Sequence, residues 1–241
     1  MSSAILTWHS LDESGSVIST PPSIFKRQME SLAQSGVKVV PLSEVRDTPE
    51  SVALTFDDGF SNLAEHAFPL LERFQWPATV FIVSQHCGLS NRWSGRTAAG
   101  IPDLPLLSWE QLAGLPPRVA IGAHTATHPH LTQISAEECD RELRQCRDAI
   151  EQRLSVPVKS LAYPYGDSSG AIHATARRYF NLAVGTSLRF LSRASNPLDL
   201  PRIDMYYFRG GFPVGRLFDP PGRMYVGFRN ILREVRAHLP G

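Results

Sequence analysis

Two short clusters of acidic and imidazole side chains have the spacing of a hydrolytic metal site. Thr55-Phe56-Asp57-Asp58-Gly59 follows one apolar run, and His124-Thr125-Ala126-Thr127-His128 follows another. His124 and His128 are four residues apart, so a single turn can direct both imidazoles at one point. Two histidines and one carboxylate can hold a catalytic metal and leave a position for water. Adjacent residues of an extended chain point in opposite directions, so one aspartate can bind the metal while the other acts on a nearby water.

A third cluster, Ala162-Tyr163-Pro164-Tyr165-Gly166, also follows an apolar run. Pro164 fixes φ and Gly166 permits a sharp turn, so a backbone N–H in this segment can face a substrate oxygen. Each cluster alone also fits a plainer interpretation, because Asp-Gly pairs and Pro/Gly segments are common in ordinary turns. The three clusters taken together favour a functional site.

The elements that must position these clusters alternate along the chain, which predicts a largely parallel sheet covered by helices. Strands are predicted at 4–8, 37–41, 52–56, 78–83, 119–123, 160–163 and 182–184. Helices are predicted at 23–34, 64–74, 109–115, from the Ser135/Glu138 capping box onward, at 171–179 and at 225–239. This alternation, in six or seven units over 241 residues, predicts an α/β fold and a barrel that is closed or slightly incomplete, in a single domain over 1–241. Its core covers about 4–208, followed by a C-terminal loop and helix at 209–241. Chemistry in such barrels lies at the carboxyl ends of the strands, where all three clusters are expected.

Composition narrows the range of partners. The chain has 24 basic and 23 acidic residues, so its net charge of +1 gives no reason to expect a nucleic-acid partner. No stretch approaches the ~18 apolar residues of a membrane span. The first residues lack the basic and long apolar regions of a secretory signal, so a cytoplasmic location is expected.

The three clusters resemble the motifs of the polysaccharide deacetylase family (carbohydrate esterase family 4, the nodulation-type chitooligosaccharide deacetylase homology domain). The resemblance covers roughly residues 5–204, and it implies a distorted (β/α)7 TIM-like barrel of about seven βα units. It implies Asp58, His124 and His128 as metal ligands. It also implies Asp57 as the general base and the Tyr165 backbone N–H as a donor to the oxyanion. Mixed histidine and carboxylate ligands favour Zn²⁺, with Ni²⁺, Co²⁺ and Mn²⁺ as alternatives.

Two positions depart from the family pattern. Ala162 lies where the family usually has an arginine that positions the base, and Arg202 is the expected substitute from another strand. The usual late Leu-x-His motif is also missing. Thr7-Trp8-His9, however, resembles the Tyr-His motif of the poly-N-acetylglucosamine deacetylase branch, which makes His9 the candidate general acid. Asp204 is its expected carboxylate partner, with Asp199 as a second candidate.

The resemblance implies hydrolysis of the acetamido group of an N-acetylated amino sugar, an oligosaccharide or a glycan-biosynthesis intermediate. Trp93, Tyr163 and Pro164 are the expected substrate contacts. One alternative is a metal-independent amide hydrolase of the same barrel type, similar to allantoinase-like proteins, but the three intact ligand positions disfavour it. A second alternative is a non-catalytic glycan-binding module, which would need neither Asp57 nor His9.

The terminal helix has an amphipathic pattern. Its spacing predicts one packed apolar face and a solvated face that carries Arg229, Arg233 and Arg236. The residues expected on the packed face are Tyr225, Phe228, Leu232, Val235 and Leu239.

Overall fold

Within residues 2–238, which this computed structural model describes, eight parallel strands form one sheet at the centre of the molecule. The strands are β1 (Ala4–Trp8), β2 (Lys38–Val39), β3 (Ser51–Phe56), β4 (Ala78–Ile82), β5 (Val119–Ala123), β6 (Ser160–Ala162), β7 (Leu182–Val184) and β8 (Ile203–Asp204). Their order is β7-β6-β5-β4-β3-β1-β8, and β2 pairs with the beginning of β3. The first strand of the chain is therefore an inner strand of the sheet.

Seven helices accompany the sheet in the described part of the chain. They are α1 (Pro22–Ser35), α2 (Leu63–His66), α3 (Phe68–Phe74), α4 (Trp109–Ala113), α5 (Ala136–Leu154), α6 (Gly170–Ala176) and α7 (Pro220–His238). The predicted capping box begins α5, where the side chains of Ser135 and Glu138 each accept the other's backbone N–H. The helix predicted at 64–74 is instead two short helices, α2 and α3. Pro69, which has no N–H to donate, lies in the first turn of α3.

Two apolar layers surround the sheet because successive side chains of a strand alternate between its faces. In β1, Leu6 and Trp8 belong to the large cluster between strands and helices, whereas Ile5 belongs to a second cluster with Ala53 and Phe81. This second cluster draws on β1, β3, β4, β6 and β7, so the sheet curves around its own interior core.

Gly122 on β5 illustrates how tightly that interior is packed, since a Cβ there would lie 2.4 Å from the Phe81 ring.

The barrel is irregular between its two edge strands. The segment at 191–200 lies between β7 and β8, where Leu191 forms an antiparallel bridge with Ser3 and Leu200 forms a parallel bridge with Val184. The expected distorted βα barrel is thus confirmed, with a non-strand segment in place of a regular closing pair. The sequence did not predict β8, which has only two residues and directly follows Arg202.

The packing predicted for α7 is wrong for part of the helix. Phe228 and Val235 are 55% and 52% exposed, and Leu232 is also exposed, whereas Tyr225 packs against the core as expected. Leu239 lies outside the described residues. The predicted apolar face is therefore largely turned away from the barrel.

Two arginines of α7 are turned toward the barrel instead. The Arg229 guanidinium lies 4.7 Å from the centroid of the Tyr207 ring. Arg233 donates to the backbone carbonyl and hydroxyl oxygens of Thr186. A long arginine stem covers apolar surface while its head finds a polar or aromatic partner, which explains this orientation. No helix in the described part of the chain is long and apolar enough to cross a lipid bilayer.

Candidate active site

The three predicted clusters meet at one edge of the barrel. Asp57 and Asp58 follow β3, His124 follows β5, and Tyr165 lies just beyond β6. Because the strands are parallel, their carboxyl ends lie on the same side of the barrel. A cavity of about 520 Å³ opens there. Its lining comprises His9, Val17, Ile18, Asp57, Asp58, Asn91, Trp93, Ala98, Ile101, His124, His128, Tyr163, Tyr165, Gly166, Thr186, Asp204, Tyr206 and Tyr207.

Three buried side chains converge as a group able to hold a metal ion. The Nε2 atoms of His124 and His128 each lie 3.4 Å from Asp58 Oδ1, and one ligand atom of each residue lies within 4.8 Å of the others. A separation of 3.4 Å is longer than a hydrogen bond. It matches the spacing of roughly 3.3 Å between neighbouring ligand atoms around a tetrahedral ion with bonds near 2.0–2.1 Å. The ligand atoms are therefore spaced for an ion between them rather than for contact with each other.

The hydrogen bonds of the site leave the required lone pairs free. His124 Nδ1 lies 2.7 Å from the Ala162 carbonyl oxygen, which can only accept, so Nδ1 carries the proton. Nε2 of His124 is then the ring nitrogen that faces Asp58 and is available as a ligand atom. Asp58 Oδ1 is buried and has no hydrogen-bond partner among the described residues. An orphaned carboxylate oxygen facing two imidazole nitrogens fits a bound cation.

The charge state of Asp58 agrees with this fit. Burial raises the pKa of its carboxyl, but the neighbouring imidazoles of His124 and His128 outweigh burial and hold the pKa well below its usual value. Asp58 is therefore an anion in a buried position, which favours a cation beside it.

The backbone around the site is strained. Asp58, Thr125, His128 and Tyr165 have φ between 60° and 68°, in the left-handed region that residues with a Cβ adopt at a cost. Such conformations cost about 1–3 kcal/mol each and persist only where the surroundings enforce them. Two of these four residues are in the metal-binding group, so holding the ligands in place requires support from neighbouring elements.

Arg202 lies against Asp57, where the sequence placed it as the substitute for the arginine missing at Ala162. Its two terminal nitrogens donate to the two Asp57 carboxylate oxygens, each at 2.6 Å, and Nε donates to the Gly185 carbonyl at 2.9 Å. Burial raises the pKa of Asp57, but the Arg202 guanidinium outweighs burial and keeps the pKa below its usual value. Asp57 is thus ionised at neutral pH and held in one orientation by a bidentate pair.

We expect Arg202→Met to lower the free energy of unfolding by about 3–5 kcal/mol, because the buried Asp57 carboxylate loses its bidentate arginine partner. Urea denaturation of the metal-free protein measures this. The double variant Asp57→Asn/Arg202→Met should recover most of the loss, since removing both charges is often close to neutral. If the free energy of unfolding of Arg202→Met lay within about 1 kcal/mol of the wild-type value, the ion pair would contribute little to stability.

His9, at the end of β1, faces the same aspartate. His9 Nε2 lies 3.7 Å from Asp57 Oδ2, so Asp57 is the carboxylate within ion-pair distance. Asp204, the partner expected from the sequence, also lines the cavity, and its Oδ1 accepts the Tyr206 backbone N–H at 2.9 Å. Burial raises the pKa of Asp204, and His9 only partly offsets this. His9 therefore lies near two carboxylates. Asp199, the second candidate, is not among the described residues that line the cavity.

The three expected substrate contacts differ in how they lie relative to the cavity. Trp93 lines the cavity and stacks on His128 with a centroid separation of 4.4 Å. Tyr163 also lines the cavity, but it is buried and its hydroxyl donates to the Leu198 carbonyl at 2.9 Å. Pro164 is buried in the turn and does not line the cavity in the described part of the chain. Trp93 is the one of these three with a ring well placed to meet a ligand. Tyr165, 47% exposed, adds a second ring at the edge.

Sequence patterns did not predict Glu142, which reaches the site from α5. Its carboxylate accepts hydrogen bonds from the turn between His124 and His128. Only its position on the polar side of a helix was visible in the sequence, and such residues are usually solvated.

The comparisons with known proteins agree with this geometry. The family model for polysaccharide deacetylase matches residues 44–181. YxkH of Bacillus subtilis (strain 168) is 21% identical in an alignment of 209 residues that covers 83% of this chain and 70% of YxkH. The poly-beta-1,6-N-acetyl-D-glucosamine N-deacetylase of Staphylococcus epidermidis (strain ATCC 35984 / DSM 28319 / BCRC 17069 / CCUG 31568 / BM 3577 / RP62A) is 24% identical over 159 residues, 59% of this chain. The chain spans about half of that relative, 52% of its length.

A solved structure shares the fold. The Streptococcus pyogenes deacetylase PplD superposes with a TM-score of 0.71 at 22% identity, covering 85% of this chain and 92% of that one. The matched range 44–181 contains the positions of Asp57, Asp58, His124, His128 and Tyr165. Since that match extends over more than half of the sequence and contains all three residues of the metal-binding group, the chain belongs to the polysaccharide deacetylase family.

Proposed function

We propose that the chain is a metal-dependent N-deacetylase that hydrolyses the acetamido group of an N-acetylated amino sugar or oligosaccharide. The convergence of Asp58, His124 and His128 beside the buried Asp57–Arg202 pair carries this proposal. Amide hydrolysis needs an activated water, stabilisation of the oxyanion and a proton for the leaving nitrogen, and the cavity contains a residue for each need. A metal-independent hydrolase or a glycan-binding module would not require this combination.

Asp58, His124 and His128 would hold the ion, and Zn²⁺ suits two imidazoles and one carboxylate, with Ni²⁺, Co²⁺ and Mn²⁺ as alternatives. When bound, the ion would acidify the attacking water and polarise the acetyl carbonyl.

The chain's own residues perform the proton transfers. Asp57, kept ionised by Arg202, accepts a proton from the attacking water. The low pKa that keeps Asp57 ionised also makes it a weak base, so the reaction depends on the water being acidic. The Tyr165 backbone N–H, in its left-handed turn, donates to the developing oxyanion. His9 donates a proton to the departing nitrogen.

The lining of the cavity favours an uncharged sugar. It has carboxylates, imidazoles and aromatic rings, and contains no lysine or arginine among the residues the structure describes. Phosphate-bearing substrates usually meet arginine, lysine or a helix N-terminus. Trp93, Tyr206 and Tyr207 offer rings to the apolar faces of a sugar. Poly-β-1,6-linked N-acetylglucosamine, the polymer in the name of the Staphylococcus epidermidis relative, is the first substrate to test.

We expect His124→Ala and His128→Ala to lose the bound metal ion, because each removes one of three ligands. Elemental analysis after dialysis measures the stoichiometry per chain, and His66→Ala, which removes an imidazole on α2 outside the group, serves as the matched control. Wild-type metal content in both ligand variants would refute the assignment of the site.

Acetate release tests the activity itself. Oligomers of β-1,6- and β-1,4-linked N-acetylglucosamine, the free sugar and a nucleotide sugar form the panel. We expect release from an uncharged oligomer, its loss on chelation and its return with Zn²⁺. Equal rates with and without chelator would favour the metal-independent alternative, and binding of oligomers without acetate release would favour the glycan-binding module.

A further inference from the structure

One carboxylate from α5 accepts hydrogen bonds from the turn between the two histidine ligands. Glu142 Oε2 accepts the backbone N–H groups of Ala126 and Thr127, each at 2.9 Å, and Oε1 accepts the Thr127 hydroxyl at 2.8 Å. All three donors lie between His124 and His128. Glu142 therefore satisfies two backbone donors and one side-chain donor of a turn that belongs to no helix or strand.

This turn requires such support because its backbone is strained. Thr125 and His128 have φ of 68° and 64°. Ala126 is fully buried, and a buried N–H without an acceptor costs about 1–3 kcal/mol. The Thr125 hydroxyl also supports the turn by accepting the His128 backbone N–H at 2.9 Å. Removing the Glu142 carboxylate would leave the Ala126 and Thr127 N–H groups without their acceptor, which favours relaxation of the turn that positions the two Nε2 atoms.

Glu142 is itself presented from a rigid element. The 19-residue helix α5 begins at a capping box and buries one face against the barrel, with Cys139, Leu143, Cys146 and Ile150 in the core. Glu142 immediately precedes the buried Leu143, which fixes where its carboxylate can reach. Precise sites depend on supporting groups carried by such elements.

We propose that Glu142 is a positioning residue that sets the metal affinity of the site by holding the His124–His128 turn in its strained conformation. Glu142 belongs neither to the metal-binding group nor to the described lining of the cavity. The proposal rests on the metal site of the proposed function. Hydrogen-bonded partners that orient metal ligands typically change metal affinity by about 10–100-fold when they are removed.

The test measures the Zn²⁺ dissociation constant of the full chain by competition with a chromophoric chelator, together with the melting temperature of the metal-free protein. We expect Glu142→Ala to raise the dissociation constant by about 10–100-fold. Glu142→Gln should stay within a few-fold of wild type, because its amide oxygen can accept the two N–H groups while its NH₂ donates to the Thr127 hydroxyl.

Glu151→Ala is the matched control, since Glu151 lies on the same helix and accepts a backbone N–H, that of Val158, at 3.0 Å. It should leave the dissociation constant unchanged. If Glu142 were only structural, Glu142→Ala would lower the melting temperature and leave the Zn²⁺ dissociation constant as in wild type, which would overturn the proposal. An equal loss of affinity in Glu151→Ala would overturn it too.

Should Glu142→Ala fail to fold, Glu142→Asp replaces it, because the shortened side chain cannot reach all three donors. We expect it to weaken Zn²⁺ binding several-fold, and wild-type affinity would overturn the proposal. Failure of the wild-type chain to bind Zn²⁺ would instead refute the metal site itself.

Discussion

Asp57→Asn is expected to lower kcat for amide hydrolysis by about 10²–10⁴-fold, the usual contribution of a positioned general base. Asparagine keeps the volume of aspartate but cannot accept the proton of the attacking water. Asp57 is not in the metal-binding group, so one metal ion per chain should remain. Acetate release and elemental analysis on the same preparation measure both effects.

Loss of stability must be separated from loss of chemistry in this variant. Asparagine offers Arg202 one acceptor and one donor in place of two acceptors, so the buried guanidinium is left partly unpaired. The double variant Asp57→Asn/Arg202→Met removes that charge and should be more stable than the single variant while remaining inactive. If Asp57→Asn lost the metal and Asp58→Asn retained it, the two aspartates would have exchanged roles.

His9→Ala is expected to lower kcat for N-acetyl substrates by about 10²–10⁴-fold, with metal content and fold retained. His9 lies at the end of β1, with Nε2 3.7 Å from Asp57, on the side of the cavity shared with Asp204. An amine is a poor leaving group unless it is protonated, whereas an activated aryl acetate departs without help. The loss should therefore be much smaller for the ester.

The comparison between the two substrates distinguishes a general acid from a histidine that only supports the first strand. Equal losses for amide and activated ester would indicate general damage to the site. Amide turnover like that of wild type would remove His9 from the mechanism. His66→Ala, outside the cavity, should leave both rates unchanged.

Strands that coincide with short apolar runs could be predicted from the sequence. β1, β5 and β7 have the predicted bounds because each is a short apolar run. β8 was missed because two residues make no periodic pattern, and its pairing with β1 depends on the folded barrel. In α7 the helix itself was expected, but its orientation depends on Arg229 and Arg233 finding partners in Tyr207 and Thr186, which no periodicity shows.

In the site, too, some residues could be predicted from the sequence and others could not. Spacing alone favoured a metal site with two histidines and one aspartate, because His124 and His128 are four residues apart and one turn can direct both imidazoles at one point. The contact between Arg202 and Asp57 was expected only through the family resemblance, which showed a missing arginine at Ala162. The sequence suggested Asp204 as a carboxylate close to His9, and Asp204 lines the same cavity, but the ion-pair distance is to Asp57. Glu142 was not predicted, because its contact with Thr127 depends on how α5 packs against the turn after β5. The hydrophobic pattern of the sequence does not give that packing.

The central position of β1 has a consequence for synthesis on the ribosome. β1 pairs with β3 on one side and with β8 on the other, and Arg202 is 145 residues after Asp57. At about 5–20 residues per second, the ribosome needs roughly 7–30 s after making Asp57 before the arginine is synthesised. During that interval one edge of β1 has no partner strand, and Asp57 lacks its partner Arg202. Association with a chaperone is therefore expected to be greatest before β8 emerges.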